Sequence, residues 1–91
     1  MLGSIPKGYQ QLTNLSAATG LTVPSGARFV LLRAEGADVR WRDDGTDPTA
    51  TVGQLLKAGD TIAFEYGGNL QAIKFVQAAA GAILNASYYR T

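Results

Sequence analysis

The sequence contains no cysteine and no histidine. Without cysteine there is no disulfide framework, no thiol nucleophile and no thiolate metal site, which leaves the redox compartment open. Without histidine the commonest general base and the commonest zinc ligand are both missing. Charge is scarce as well: 16% of the residues are Asp, Glu, Lys or Arg, against a usual fraction of about 25%. The net charge is +1 and the basic residues form no run, so no electrostatic footprint for nucleic acid stands out. No stretch approaches the ~20 apolar residues of a membrane-spanning helix. The opening MLGSIPKGYQ lacks the charged head and apolar run of a secretion signal. The expectation is a soluble protein made in the cytoplasm, with no cofactor and no membrane or nucleic-acid partner.

What is present is one module. A chain of 91 residues is too short for two domains and would expose roughly 5,000 Å² when folded. Apolar residues make up 46% of it, and so sparsely charged a surface favours a protein packed against others. Charge is also unevenly placed. Residues 1–27 carry only Lys7 and residues 66–91 only Lys74 and Arg90, while 28–65 hold five basic and seven acidic residues of interspersed sign, the pattern of a solvated face.

Apolar residues alternate at period two along most of the chain. In ARFVLLRAEG, Val30, Leu32 and Ala34 alternate with Phe29, Leu31 and Arg33, giving one wholly apolar face and one mostly apolar face, as in a central strand. In DVRWRDD, Val39 and Trp41 oppose Arg40 and Arg42. In DTIAFEY, Ile62, Phe64 and Tyr66 oppose Thr61, Ala63 and Glu65. AIKFVQA sets Ile73 and Phe75 against Lys74, and GAILNASYYR sets Ala82, Leu84, Ala86 and Tyr88 against Ile83, Asn85, Ser87 and Tyr89. Turn signals at Pro24–Gly26, Glu35–Gly36, Asp43–Gly45, Ala58–Asp60, Gly67–Asn69 and Ala80–Gly81 separate these runs. The alanines of AIKFVQAAAGAI favour helix, but Gly81 would interrupt it, which leaves strand, turn, strand. YQQLTNLS and ATGLTV are further candidate strands. The expected fold is all-β, a small antiparallel β-sandwich or barrel of about six to eight strands. Residues 1–27 form an N-terminal segment with candidate strands and assembly contacts, and 28–91 the sandwich core. Val30, Leu32, Val39, Trp41, Ile62, Phe64, Ile73, Phe75, Leu84 and Tyr88 should make up most of the interior.

WRDDGTDPTA, which opens on the only tryptophan, is the one cluster of carboxylates. As a calcium loop it fails, because the third position counted from Asp43 is Gly45 and the twelfth is Gln54, where an acid is required. As a D-x-D-G-T phosphatase signature it fails at Arg42, where the nucleophile would stand. As a turn it is complete: Asp side chains bond to backbone amides two residues on, Gly45 takes positive φ, and Pro48 extends Asp47. The loop therefore reads as the corner between two strands, displayed at the surface, with no catalytic, cofactor-binding or metal residue to assign.

The remaining candidates divide in the same way. Tyr88, Tyr89 and Arg90 could stack on a sugar or base, but alternation sends the two tyrosines to opposite faces. Arg40 and Arg42 share one face, where pairing with an acid on a neighbouring strand is expected. EYGGNL leads from strand to strand, so it is a hairpin and not a dinucleotide fingerprint.

The run AEGADVRWRDDGTDPTATVGQLLKAGDTIAFEYG, followed by LQAIKFVQAAAGAILNASYYR, resembles small virion proteins of tailed bacteriophages. The shared features are a tryptophan strand flanked by arginines, a DDGT.PTA loop, a G.LL.AGDTI strand pair and a closing AIKF…AGA.LN.SYY hairpin. The resemblance implies an all-β virion structural protein without enzymatic activity, of the capsid decoration or minor capsid type. It also implies contacts with the major capsid protein or other virion proteins, and a symmetric homo-oligomer, a trimer by the usual symmetry of capsid sites. A carbohydrate-binding module of a tail or head fibre, reading glycans with Trp41 or the C-terminal tyrosines, is the alternative.

Overall fold

The computed structural model describes residues 5–65 and 69–90. Alternation is converted into eight strands: β1 Ile5–Leu12, β2 Thr19–Gly20, β3 Phe29–Glu35, β4 Val39–Arg42, β5 Gln54–Leu56, β6 Thr61–Glu65, β7 Lys74–Gln77 and β8 Ile83–Arg90. The only helical turn among the described residues is 3-10, at Leu70–Ala72. Two four-stranded antiparallel sheets result, the first in the order β1-β8-β3-β6 and the second β2-β7-β4-β5, so the fold is the expected β-sandwich. The chain exposes 4989 Å², as size scaling requires of a folded chain this long.

The pairings follow a simple rule. β1 pairs with β8, β2 with β7, β3 with β6 and β4 with β5. The chain thus forms one long antiparallel ribbon with its tip at the β4–β5 loop. Two further pairings, β3 with β8 and β4 with β7, coil that ribbon into two layers, which is the strand order of an eight-stranded jelly roll. Consecutive strands therefore mostly lie in different sheets. Two connections expected as in-sheet hairpins are corrected here: Gln54–Leu56 to Thr61–Glu65, and Lys74–Gln77 to Ile83–Arg90, both cross between sheets. The EYGGNL connection, likewise expected as a hairpin, is a third correction: it carries β6 of the first sheet to β7 of the second. Tyr66, Gly67 and Gly68 within it lie outside the described residues. Alternation fixes which face a side chain takes but not which strand lies beside it, and a short turn serves a hairpin and a crossover equally well.

Of the ten residues expected inside, Val30, Leu32, Val39, Phe64, Ile73, Phe75, Leu84 and Tyr88 are buried, while Trp41 and Ile62 are half-buried and pack against the same cluster. Leu12, Leu15 and Leu21 join them. The strands expected within residues 1–27 are thus built into both sheets, β1 as an edge of the first and β2 as an edge of the second. Two crossover turns touch at one end of the sandwich. Gly36 has φ +81°, and a Cβ there would sit 2.3 Å from the Gly81 carbonyl oxygen, so neither side chain nor ordinary backbone geometry fits.

Candidate functional site

The aspartate loop joins β4 to β5, neighbours within the second sheet, so it is a long hairpin connection between two strands. Asp43 to Asp47 are exposed, but Pro48 is buried. Much of the turn chemistry is local. Asp44 Oδ1 accepts from the Thr46 amide at 3.4 Å. Thr49 and Val52 exchange backbone bonds of 2.8 and 3.3 Å, and Thr49 Oγ1 accepts from the Val52 amide at 3.0 Å. Gly45 takes φ +87° as the turn demands. At Gly53 a Cβ would meet the Trp41 carbonyl oxygen at 3.1 Å and the Pro48 side chain at 3.1 Å, because the loop's return limb lies against β4.

The arginines behave differently from expectation. Neither pairs with an acid on a neighbouring strand. Arg42 forks onto Asp44, with Nε to Oδ1 at 3.0 Å and Nη2 to Oδ2 at 2.5 Å, and this hydrogen-bonded partner raises the guanidinium pKa while holding the Asp44 carboxyl below its usual value. Arg40 Nη1 donates to the Gly53 carbonyl at 3.1 Å, and its Nε is buried with no hydrogen-bond partner among the described residues. The register explains the correction: Arg40 lies opposite Leu55 and Val76, and Arg42 opposite Lys74, so the neighbouring strands offer no carboxylate. An open groove of about 440 Å³ follows the loop, lined by Arg42, Asp43, Asp44, Val52, Gly53 and Gln54. Its most prominent ion pair is already satisfied internally, and no cluster of three or more metal-ligating side chains occurs among the described residues.

Trp41 stands edge-on to Phe64, with centroids 4.9 Å apart and planes at 86°. The indole thus seals the gap between the sheets. The tyrosines divide as alternation required. Tyr88 is 1% exposed, and its hydroxyl donates to Gln10 Oε1 at 2.8 Å; burial pushes its pKa up to about 12. Gln10 Oε1 also accepts from the Thr22 amide at 3.1 Å, tying the edge strand β1 to the segment after β2. Tyr89 lies on the opposite face of β8, half-buried.

That opposite face is the feature that sequence reasoning missed. Register places Pro6, Tyr89, Phe29 and Glu65 in one row across the outside of the first sheet, and Tyr9, Ser87, Leu31 and Ala63 in the next. Tyr9 is 62% exposed. A third row is polar: Asn85 Oδ1 accepts from the Tyr9 hydroxyl and from Gln11 Nε2 at 3.1 Å, while Asn85 Nδ2 donates to Glu35 Oε1 at 2.8 Å. The signal was present in the doubly apolar FVLLRAE strand. A second apolar face reads as burial on both sides, yet among the described residues no third layer covers it.

No protein-family model, no curated protein and no solved structure matches the chain.

Proposed function

We propose that the chain is a non-enzymatic structural protein of a tailed-bacteriophage particle, a capsid decoration or minor capsid protein. It is made in the host cytoplasm and held on the virion by contacts with the major capsid protein or other virion proteins. The observation that carries this reading is the outside of the first sheet. Two successive rows, from Pro6 to Phe29 and from Tyr9 to Ala63, contain no charge, and Glu65 stands only at the rim. A broad apolar sheet surface with one exposed aromatic, Tyr9, and two half-buried ones, Phe29 and Tyr89, is suited to covering by another protein. The sequence resemblance names the assembly. The jelly-roll order is shared by viral capsid and lectin domains, an analogy of fold that supports the reading without selecting among functions.

The test is co-sedimentation with particles of the phage that encodes the chain, paired with mass spectrometry of purified virions. Tyr9→Glu places a charge on the open face at an exposed position, so it should leave the β spectrum intact and weaken particle binding by about 10-fold or more. Absence of the chain from virions, or full binding by the variant, would refute the reading. Carbohydrate recognition is the second reading. With Trp41 packed on Phe64 and Tyr88 buried, it now rests on the Tyr9 ring beside the hydrogen-bonded Gln11, Asn85 and Glu35 side chains. Glycan binding lost in the same variant, without particle binding, would favour it.

A further inference from the structure

Three of the four sheet edges are guarded against pairing with another chain. β1 carries Pro6, Lys7 and a bulge between Pro6 and Gly8, while β2 is two residues long and β5 three. Proline, lysine, bulges and short strands are the devices that blunt an edge. β6 has none of them except modest length: its five residues run in unbroken register with β3, and among the described residues β3 is its sole partner strand. The Ala34 amide donates to the Asp60 carbonyl at 3.3 Å, in line with that ladder. Backbone groups alternate sides along a strand. Ile62 and Phe64 therefore turn theirs toward β3, and Thr61, Ala63 and Glu65 turn their N–H and C=O groups outward, at exposed positions.

We infer that this edge pairs with β6 of a second copy of the chain, antiparallel, about a two-fold axis at Ala63. The sequence is self-complementary in that register. Ala63 meets Ala63 of the second copy, with no side-chain bulk at the axis. Thr61 meets Glu65 of the second copy, and the symmetry repeats that pair. Three residue pairs, each exchanging two backbone bonds, give about six hydrogen bonds. Arg33 is the β3 neighbour of Thr61, so the row across the seam reads Arg33, Thr61, then Glu65 of the second copy. The opposite charges stand about 10 Å apart at the backbone, two strand spacings, which an extended arginine and a glutamate span together.

Area sets the strength. Five residues extend about 17 Å at ~3.4 Å each, and the smallest molecular dimension is 18 Å. The seam therefore covers roughly 300 Å² per copy, well under the ~800 Å² per partner of a standard stable complex. Pairing is consequently concentration-dependent in solution and is strengthened where copies are held close together. The contact is isologous, so it builds dimers; a trimer would need a different, heterologous contact. The inference rests on the exposed edge and not on the virion reading.

Sedimentation equilibrium of the full chain from about 10 μM to about 1 mM tests it. The average mass should rise from the 9.6 kDa monomer toward twice that value. Ala63→Lys sets like charges opposite each other at the axis and should weaken association about 10-fold or more with an unchanged far-ultraviolet spectrum. Glu65→Arg should weaken it too, and adding Arg33→Glu should restore it, since the seam pair is then reversed rather than broken. A mass that stays monomeric throughout, an Ala63→Lys variant that associates like the parent, or a double variant that recovers nothing would each overturn the inference.

Discussion

Tyr88 should make stability fall in strongly alkaline solution, and removing its hydroxyl should abolish that fall. The ring lies on the inner face of β8, 1% exposed, and burial raises its pKa to about 12, against about 10 in an unfolded chain. A raised acid pKa means that the folded protein keeps a proton the unfolded chain gives up. Stability from this group is therefore complete below about pH 10 and declines as pH rises toward about 12. Two pKa units correspond to at most about 2.7 kcal/mol, about half of it lost by pH 11. That is a large share of the ~5–15 kcal/mol that holds a domain together.

Tyr88→Phe supplies the control. At pH 8 the variant loses the bond to Gln10, but Gln10 Oε1 keeps the Thr22 amide at 3.1 Å, so no acceptor is stranded and the cost should be about 1 kcal/mol. The parent is then the more stable protein at neutral pH and the less stable one in strong alkali, with the two curves crossing near pH 10.7 by the same linkage arithmetic. Urea unfolding of both proteins at several pH values between about 8 and 11.5 reads the difference directly, and the titrations common to both cancel in it. A difference that stays flat across that range would refute the reasoning, because it would mean that the buried hydroxyl titrates as it does in the unfolded chain.

Trp41→Ala removes an indole that is half-buried and edge-on to Phe64, so the cost should be about 2 to 3 kcal/mol, below the ~3–5 of a fully enclosed aromatic. Because the chain has one tryptophan, unfolding has to be followed by circular dichroism, and a cost under about 1 kcal/mol would mean that the ring does not seal the gap between the sheets. Gly36→Ala drives a methyl to 2.3 Å from the Gly81 carbonyl at φ +81° and should cost about 2 to 4 kcal/mol. Gly59→Ala, at φ +92° with nothing within 4 Å, should cost only about 1 kcal/mol; equal melting temperatures for the two variants would show that the crossover turns do not touch.

The faces of the strands were legible in the sequence and their neighbours were not. Val30, Leu32, Leu84 and Tyr88 announce their side of a sheet by period two, and Gly45 and Gly81 announce turns by the conformations they permit. Nothing local, however, tells β8 that its partners are β1 and β3, pairings that join residues 5–12 and 29–35 to 83–90. The AGDTI and AAAGAI turns look like hairpins because a crossover needs the same glycine and the same few residues. The salt bridge of Arg42 was misread for a related reason. Its partner Asp44 is two residues away along the chain, and sequence reasoning looked for it across a ladder whose register was still unknown.

The N-terminal 27 residues show where composition reaches its limit. With one charge among them, they read as surface covered by a partner, yet much of what they cover lies inside their own sandwich. Leu12, Leu15 and Leu21 are 5%, 0% and 7% exposed, and the Leu15 carbonyl accepts from the Gln77 amide at 2.8 Å. Low charge marks burial but does not say whether the burial is within one chain or between chains. Register separates the two. Along β1 the inward positions, Gln10 and Leu12, serve the interior, while the outward ones, Tyr9 and Gln11, stand on the open face. Removing residues 1 to 15 would take away an edge strand and two core leucines together, so loss of binding in that truncation would report unfolding as readily as lost attachment. A single charge at Tyr9 isolates the outer face, which makes it the sharper test of what the segment contributes beyond its own fold.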